Sequence, residues 1–242
     1  MPAQLVRKLR KLFSVMAQPS YRAAFLRGRV AAAVEHGSLL KTLQVKTIVD
    51  IGANRGQFAL VSRHCIPEAR IIAFEPLPGP AEQFQTVLGN DPRVTLHRVA
   101  VGPEPITATM HVAAEDDSSS LLPISSLQQR LFSGAKEVAQ TTIQVEPLSS
   151  RIKADELVSP ALLKIDVQGY ELPVLQGCES LLERFSHVYC ECSFVELYEG
   201  QALAADVIHF LQTRGFNLHG VYNVYYGPKG EAIQADMLFA RG

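Results

Sequence analysis

The segment Ile48-Val49-Asp50-Ile51-Gly52-Ala53-Asn54-Arg55-Gly56 constrains this chain most, because an apolar run ending in a glycine-rich turn is how a parallel sheet presents its backbone to a ligand. A second such edge follows at Ile71-Ile72-Ala73-Phe74-Glu75-Pro76. In an α/β sheet, small molecules bind outside the carboxyl ends of the strands, and an acid ending the second strand can take both hydroxyls of a ribose. Together the two segments point to an adenosine-bearing cofactor.

Glycine spacing separates the candidate cofactors. The dinucleotide fingerprint Gly-x-Gly-x-x-Gly uses its second glycine to bring backbone against a pyrophosphate, and here that position is Asn54. A side chain there suits a cofactor without phosphates, S-adenosylmethionine, whose aminocarboxylate can rest against amides of the Gly52–Gly56 turn. The plainer reading is that Gly52 and Gly56 merely permit a turn at positive φ. It leaves the correctly spaced Glu75 unexplained.

Periodicity gives the layout. A helical region over residues 1–44 precedes a domain over 45–242, in which strand 46–51 feeds a helix at 55–65, and strand 70–75 feeds a helix at 79–89 opened by Pro80. Val94–Val101 reads as a third strand, 106–113 as a hairpin strand, and 115–126 as a long polar loop fit to act as a lid. A short strand at 142–145 and a fourth main strand at 161–166 follow, then a helical stretch over 172–185 broken near Gly177. Strand 187–192, a helix at 206–214 closed by Gly215, and an antiparallel hairpin (216–226, 233–240) complete the chain. The fold class predicted is α/β, a doubly wound Rossmann-like sheet, mostly parallel with an antiparallel C-terminal hairpin strand.

Composition agrees with one domain. The 242 residues are 47% hydrophobic, enough for one good core. Four cysteines, Cys65, Cys178, Cys190 and Cys192, are unpatterned, and Cys190-x-Cys192 puts two thiols on one strand face, a poor zinc knuckle. Free thiols and the lack of a membrane-spanning run or secretory leader predict a soluble, cytoplasmic protein.

The formal charge of −1 hides an asymmetry: residues 1–46 hold nine Lys or Arg against one acid, Glu35. Leu5, Leu9, Leu12, Phe13 and Met16 recur at helical spacing opposite Arg7, Lys8, Arg10 and Lys11. Such a basic amphipathic helix, residues 1–20, suits peripheral contact with the inner face of a membrane or with a lipid-linked substrate. The alternative is that its stripe packs on the parent domain or on a sister subunit, giving a homo-oligomer.

Two later segments, Leu162-Leu163-Lys164-Ile165-Asp166-Val167-Gln168-Gly169-Tyr170-Glu171 and Ala235-Asp236-Met237-Leu238-Phe239-Ala240, complete a pattern with the first two. In this order, over residues 45–242, the chain resembles the FkbM family of S-adenosylmethionine-dependent methyltransferases. The resemblance implies a seven-stranded sheet with the last strand inserted antiparallel between the fifth and sixth. It implies a cofactor site drawn from Asp50, Gly52, Ala53, Asn54, Gly56, Glu75, Pro76 and Asp166, with Ser119 from the serine-rich segment Ser118-Ser119-Ser120-Leu121. Asp166, Gly169 and Glu171 match the family's Asp-Val-Glu-Gly-x-Glu motif; the departure is Gln168, where the family usually has Glu, which bears on any role needing a negative charge there.

Methyl transfer to an alcohol requires alignment of the acceptor and removal of its proton. Groups available at the sheet edge are Asp166, Glu171, Glu191 and Glu196, with His111, Asp116 and Asp117 near the lid. Asp166 is the first choice for the catalytic centre, against a role as a helix cap, and Glu191 the second, because a mid-strand carboxylate is costly to bury unless paired or functional. Magnesium on Asp166 with Glu191 or another acid could orient adjacent hydroxyls. Tyr222, Asn223, Tyr225 and Tyr226 offer faces for a sugar ring. The expected activity is O-methylation of a sugar, glycolipid, polysaccharide or natural-product hydroxyl. The alternatives are a nicotinamide-dependent oxidoreductase and a noncatalytic module recruited by the basic arm. A nucleic-acid acceptor is not expected, since the fourth strand lacks an Asn-Pro-Pro-Tyr or Asp-Pro-Pro-Tyr turn.

Overall fold

Burial along whole strands is the mark of a parallel sheet covered on both faces, and Thr47–Ile51 is buried at every position. A computed structural model describes residue 13 and residues 15–242. In chain order, α1 (Pro19–Gly28) and α2 (Gly37–Leu40) precede β1 (Thr47–Ile51), α3 (Gln57–Cys65), β2 (Arg70–Phe74), α4 (Pro78–Leu88) and β3 (Val94–His97). Then come β4 (Ala100–Val101), β5 (Ile106–Ala113), α5 (Ser126–Leu131), β6 (Glu137–Glu146), β7 (Ala161–Ile165) and α6 (Glu171–Gly177). The chain closes with β8 (His187–Ser193), α7 (Ala204–Gln212), β9 (Phe216–Tyr226) and β10 (Ala232–Arg241).

The main sheet runs β3-β2-β1-β7-β8-β10-β9, with β10 antiparallel to both neighbours. Strand alternation splits the apolar side chains into two layers. Val49, Ile51, Leu163, Ile165 and Cys190 face one layer with α6 and α7, while Ile48, Leu162, Tyr189 and Leu238 face the other with α3 and α4. The second layer also buries Val15, Tyr21, Val30 and Leu40, so residues 15–40 cover that face of the sheet. Of the proposed amphipathic stripe, Leu5, Leu9 and Leu12 lie outside the described residues, and Phe13 and Met16 are exposed.

Two strand boundaries differ from expectation. The run 94–101 is not one strand: β3 pairs with β2, whereas β4 turns away to pair with β6 in a separate three-stranded sheet, β4-β6-β5. The stretch 142–145 is the end of the ten-residue β6, paired antiparallel along β5; its upstream residues are largely exposed and polar, so no apolar alternation announces them. The helical stretch after β7 does end at Gly177 and continues as a 3-10 turn over Glu179–Arg184. All four cysteines are free, and among the described residues no helix is long and apolar enough to cross a membrane.

Candidate active site

Gly52 ends β1 at φ +77°, and a Cβ there would stand 1.8 Å from the Asp166 carbonyl oxygen. The missing side chain lets the ends of β1 and β7 meet, with the Asp166 amide donating to the Ile51 carbonyl at 3.1 Å. Asn54 takes the left-handed conformation at φ +46°, and its side-chain oxygen accepts from the Arg55 amide at 2.7 Å. Gly56, at φ +91°, passes so close to Phe84 and Leu88 that a Cβ would meet them at 3.1 and 3.0 Å.

The turn's amides have acceptors within the protein. Gly52 and Ala53 donate to the Phe74 carbonyl, Gly56 to that of Ala53, Asn54 to Glu75 and Arg55 to the Asn54 side chain. An aminocarboxylate resting on these amides, as the turn's sequence suggests, therefore meets no vacant donor; side chains and carbonyls of the turn are what it can reach. Glu75 ends β2 almost wholly buried. Its carboxyl group accepts from Asn54 N at 2.9 Å and Leu77 N at 2.8 Å, and burial pushes its pKa up to about 7.

Sequence reasoning missed Lys164, although a lysine inside an apolar strand is itself a signal. Its ammonium stands 3.2 Å from Asp50 Oδ1 and 3.5 Å from Asp166 Oδ2, with the Phe58 ring centroid at 5.4 Å. The two carboxylates outweigh burial and hold the lysine protonated. Asp50, fully buried, sits behind the wall of the site and anchors Lys164.

The second turn explains Gln168. At φ +57° it precedes Gly169 at φ +96°, where a Cβ would come within 2.9 Å of Tyr198. Gln168 Nε2 donates to Asp166 Oδ1 at 2.8 Å and to Glu191 Oε2 at 2.9 Å, while Tyr198 donates its hydroxyl to Gln168 Oε1 at 2.9 Å. Gln234 donates to the other Glu191 oxygen at 2.7 Å. Burial and the facing carboxylates of Asp166 and Asp236 keep the Glu191 pKa well above the usual range. Glu171 accepts from Gly169 N at 3.0 Å and Val167 N at 3.3 Å, pushed by burial to about 7. The amide donor between Asp166 and Glu191 takes the place a bridging magnesium would need, and no group of three or more His, Cys, Asp or Glu among the described residues could hold a metal.

The loop after β5 fastens onto both turns. Asp116 accepts from Arg55 Nη2 at 2.6 Å and Nε at 3.0 Å, and Ser120 donates to the Gln168 carbonyl at 2.6 Å. Ser119 accepts from Ala113 N at 3.1 Å. The result is a cavity of about 250 Å³ walled by Gly52, Ala53, Asn54, Glu75, Pro76, Ser119, Lys164 and Asp166. Asp50, Gly56 and Glu191 are not on that wall. Asp116 and Asp117 do line it, whereas His111 pairs with Glu137 at 2.9 Å on the small sheet and Glu196 accepts from Gly200 N at 2.7 Å. Of the aromatic cluster, Tyr225 packs on Phe132 at 4.8 Å and Tyr222 on Tyr189 at 6.2 Å, so these rings serve packing.

A family model, the methyltransferase FkbM domain, matches residues 50–218. Methyltransferase 1 of Beauveria bassiana is 29% identical over 190 residues, covering 70% of this chain and 71% of that protein. The 2-O-methyltransferase NoeI of Sinorhizobium fredii is 28% identical over 160 residues (64% and 66% of the two chains). The hexuronic acid methyltransferase AglP of Haloferax volcanii is 27% identical over 142 residues; the match covers 59% of this chain and 54% of AglP. Among solved structures, one from Klebsiella pneumoniae, provisionally assigned as an O-methyltransferase, superposes with a TM-score of 0.51 at 14% identity, covering 96% of each chain, which shows the shared fold. With the family model matched over most of its length and the sheet order β3-β2-β1-β7-β8-β10-β9, this chain belongs to the FkbM methyltransferase family.

Proposed function

We propose that this methyltransferase uses S-adenosylmethionine to methylate a hydroxyl of a sugar-bearing acceptor. The observation that carries the reading is Glu75, a buried carboxyl group on the cavity wall, fixed beside Asn54 and Gly52. Glu75 would hold the ribose diol, with Pro76 and Leu77 beside it on the cavity wall, and the Asn54 side chain stands where a dinucleotide needs bare backbone. Bound there, S-adenosylmethionine supplies an electrophilic methyl group. Asp166, pinned by Lys164 and Gln168 at the end of β7, faces the same cavity and orients the acceptor hydroxyl; Glu191 holds Gln168 from behind.

The acceptor class is supported by NoeI, named as a 2-O-methyltransferase, and AglP, named as a hexuronic acid methyltransferase. Residues 45–242 form the methyltransferase domain in this reading, and residues 15–44 before it cover one face of its sheet. The nicotinamide and noncatalytic alternatives are set aside, because the family is one of methyltransferases. Transfer of a radiolabelled methyl group from S-adenosylmethionine to methyl glycosides of uronic and neutral sugars tests the reading. Alkali-stable label is the expected result; label only in alkali-labile esters would mean a carboxylate acceptor.

A further inference from the structure

Two side chains outside the residues matched by the family model pair behind the cavity wall, to which one of them belongs. His36 ends a 3-10 turn before β1, and Asp236 lies on β10, yet His36 Nδ1 and Asp236 Oδ2 are 3.7 Å apart. Tyr189 of β8 completes the group, its hydroxyl 2.9 Å from His36 Nδ1. Asn223 of β9 donates to Asp236 Oδ2 at 2.7 Å. The Asn223 nitrogen also lies 3.3 Å from His36 Nδ1, but its two protons have acceptors apart from that ring nitrogen, Asp236 and the Tyr189 oxygen at 3.4 Å. With Nδ1–H donated to the Tyr189 oxygen, the Nε2 lone pair stays open.

The ring is held edge-on by Phe58 at 5.3 Å and Tyr189 at 5.6 Å, and His36 shares the cavity wall with Lys164 and Asp166. Its Nε2 has no protein hydrogen bond among the described residues. The charged groups facing the ring are Asp236, Glu35 and Asp166, which favour its protonation, and Lys164, which opposes it. Burial is the largest influence and keeps His36 below its ordinary pKa, hence neutral at pH 7. Asp166 already accepts from the Gln168 amide at 2.8 Å and faces the Lys164 ammonium at 3.5 Å.

Resting on the function proposed above, we propose that His36 is the base that takes the acceptor's proton, its tautomer set by donation of Nδ1–H to Tyr189. As the acceptor oxygen bonds to the methyl carbon, its hydrogen passes to His36 Nε2. The electron pair of the breaking carbon–sulfur bond stays on sulfur, leaving S-adenosylhomocysteine.

Nitrogen NMR of protein labelled in its histidine rings tests the tautomer without an acceptor, with the His36 signal identified by its loss in His36→Gln. At pH 7, Nδ1 should carry the proton and Nε2 none, and Tyr189→Phe should move population toward the other tautomer. An Nε2–H or doubly protonated ring in the wild type overturns the proposal. With methyl β-D-glucuronide as the acceptor probe, His36→Gln should lose about 10²–10⁴-fold in kcat and the acidic limb of the pH profile, with S-adenosylhomocysteine affinity retained. A wild-type rate in His36→Gln sinks the base assignment alone; failure of the wild type to bind S-adenosylhomocysteine sinks the function beneath it.

Discussion

Gln168 donates its side-chain amide to Asp166 at 2.8 Å, and the same nitrogen reaches Glu191 at 2.9 Å. A carboxylate at position 168 would set a third acid against these two. Gln168→Glu should therefore destabilise the protein by about 1–3 kcal/mol at pH 7, through lost donation and like-charge crowding. The loss should shrink toward pH 5 as carboxyl groups take up protons. Urea unfolding at both pH values measures it, and an unchanged midpoint would show that the amide bridge contributes nothing.

Gly52 and Gly230 both have positive φ, but only Gly52 lies against backbone. Gly52→Ala should cost more than about 3 kcal/mol or prevent folding, since the new methyl group would overlap the Asp166 carbonyl. Gly230→Ala, facing open space, should cost about 1 kcal/mol from the strained backbone alone. Thermal unfolding of the two variants makes the comparison.

Glu171 is a buried acid raised from 4.5 to about 7. Between those values the folded chain keeps the proton that the unfolded chain has lost, so this group's contribution to stability falls as pH rises from 4.5 to 7 and is constant above. Glu171→Gln keeps an acceptor for the Gly169 and Val167 amides but cannot titrate. Unfolding midpoints should then decline less between pH 5 and 7.5 than in the wild type. Equal slopes would place the titration elsewhere.

Arg55 ties the loop to the glycine turn through Asp116. Because the pair is partly exposed, Arg55→Ala should change global stability by no more than about 1 kcal/mol. Amide hydrogen exchange over residues 115–121 should quicken, and S-adenosylmethionine affinity should fall several-fold. Unchanged exchange would show that other contacts hold the loop.

Apolar runs with a carboxylate or glycine at the end announced β1, β2 and β7, because central parallel strands must be apolar on both faces. The place of β10 between β8 and β9 came from family resemblance, since hairpin periodicity does not say which strand meets β8. The split of 94–101 was hidden because Val99 at the bend and Val101 beyond it are both buried, and hydrophobicity does not record a change of sheet. At the site, Gly52, Asn54, Glu75 and Asp166 were legible from their strand-end positions. Lys164 and His36 were not: one looked like an interruption in a strand, and the other is brought to the cavity only by the packing of residues before β1.

The most direct test of the account is calorimetric titration of S-adenosylmethionine, S-adenosylhomocysteine and NAD into the purified protein, beside Glu75→Ala shown to be folded by circular dichroism. Binding of the first two with a loss of at least about tenfold in the variant is the predicted result, since the ribose would lose its hydrogen-bonding carboxyl partner. Binding of NAD instead, or undiminished binding by Glu75→Ala, would contradict it.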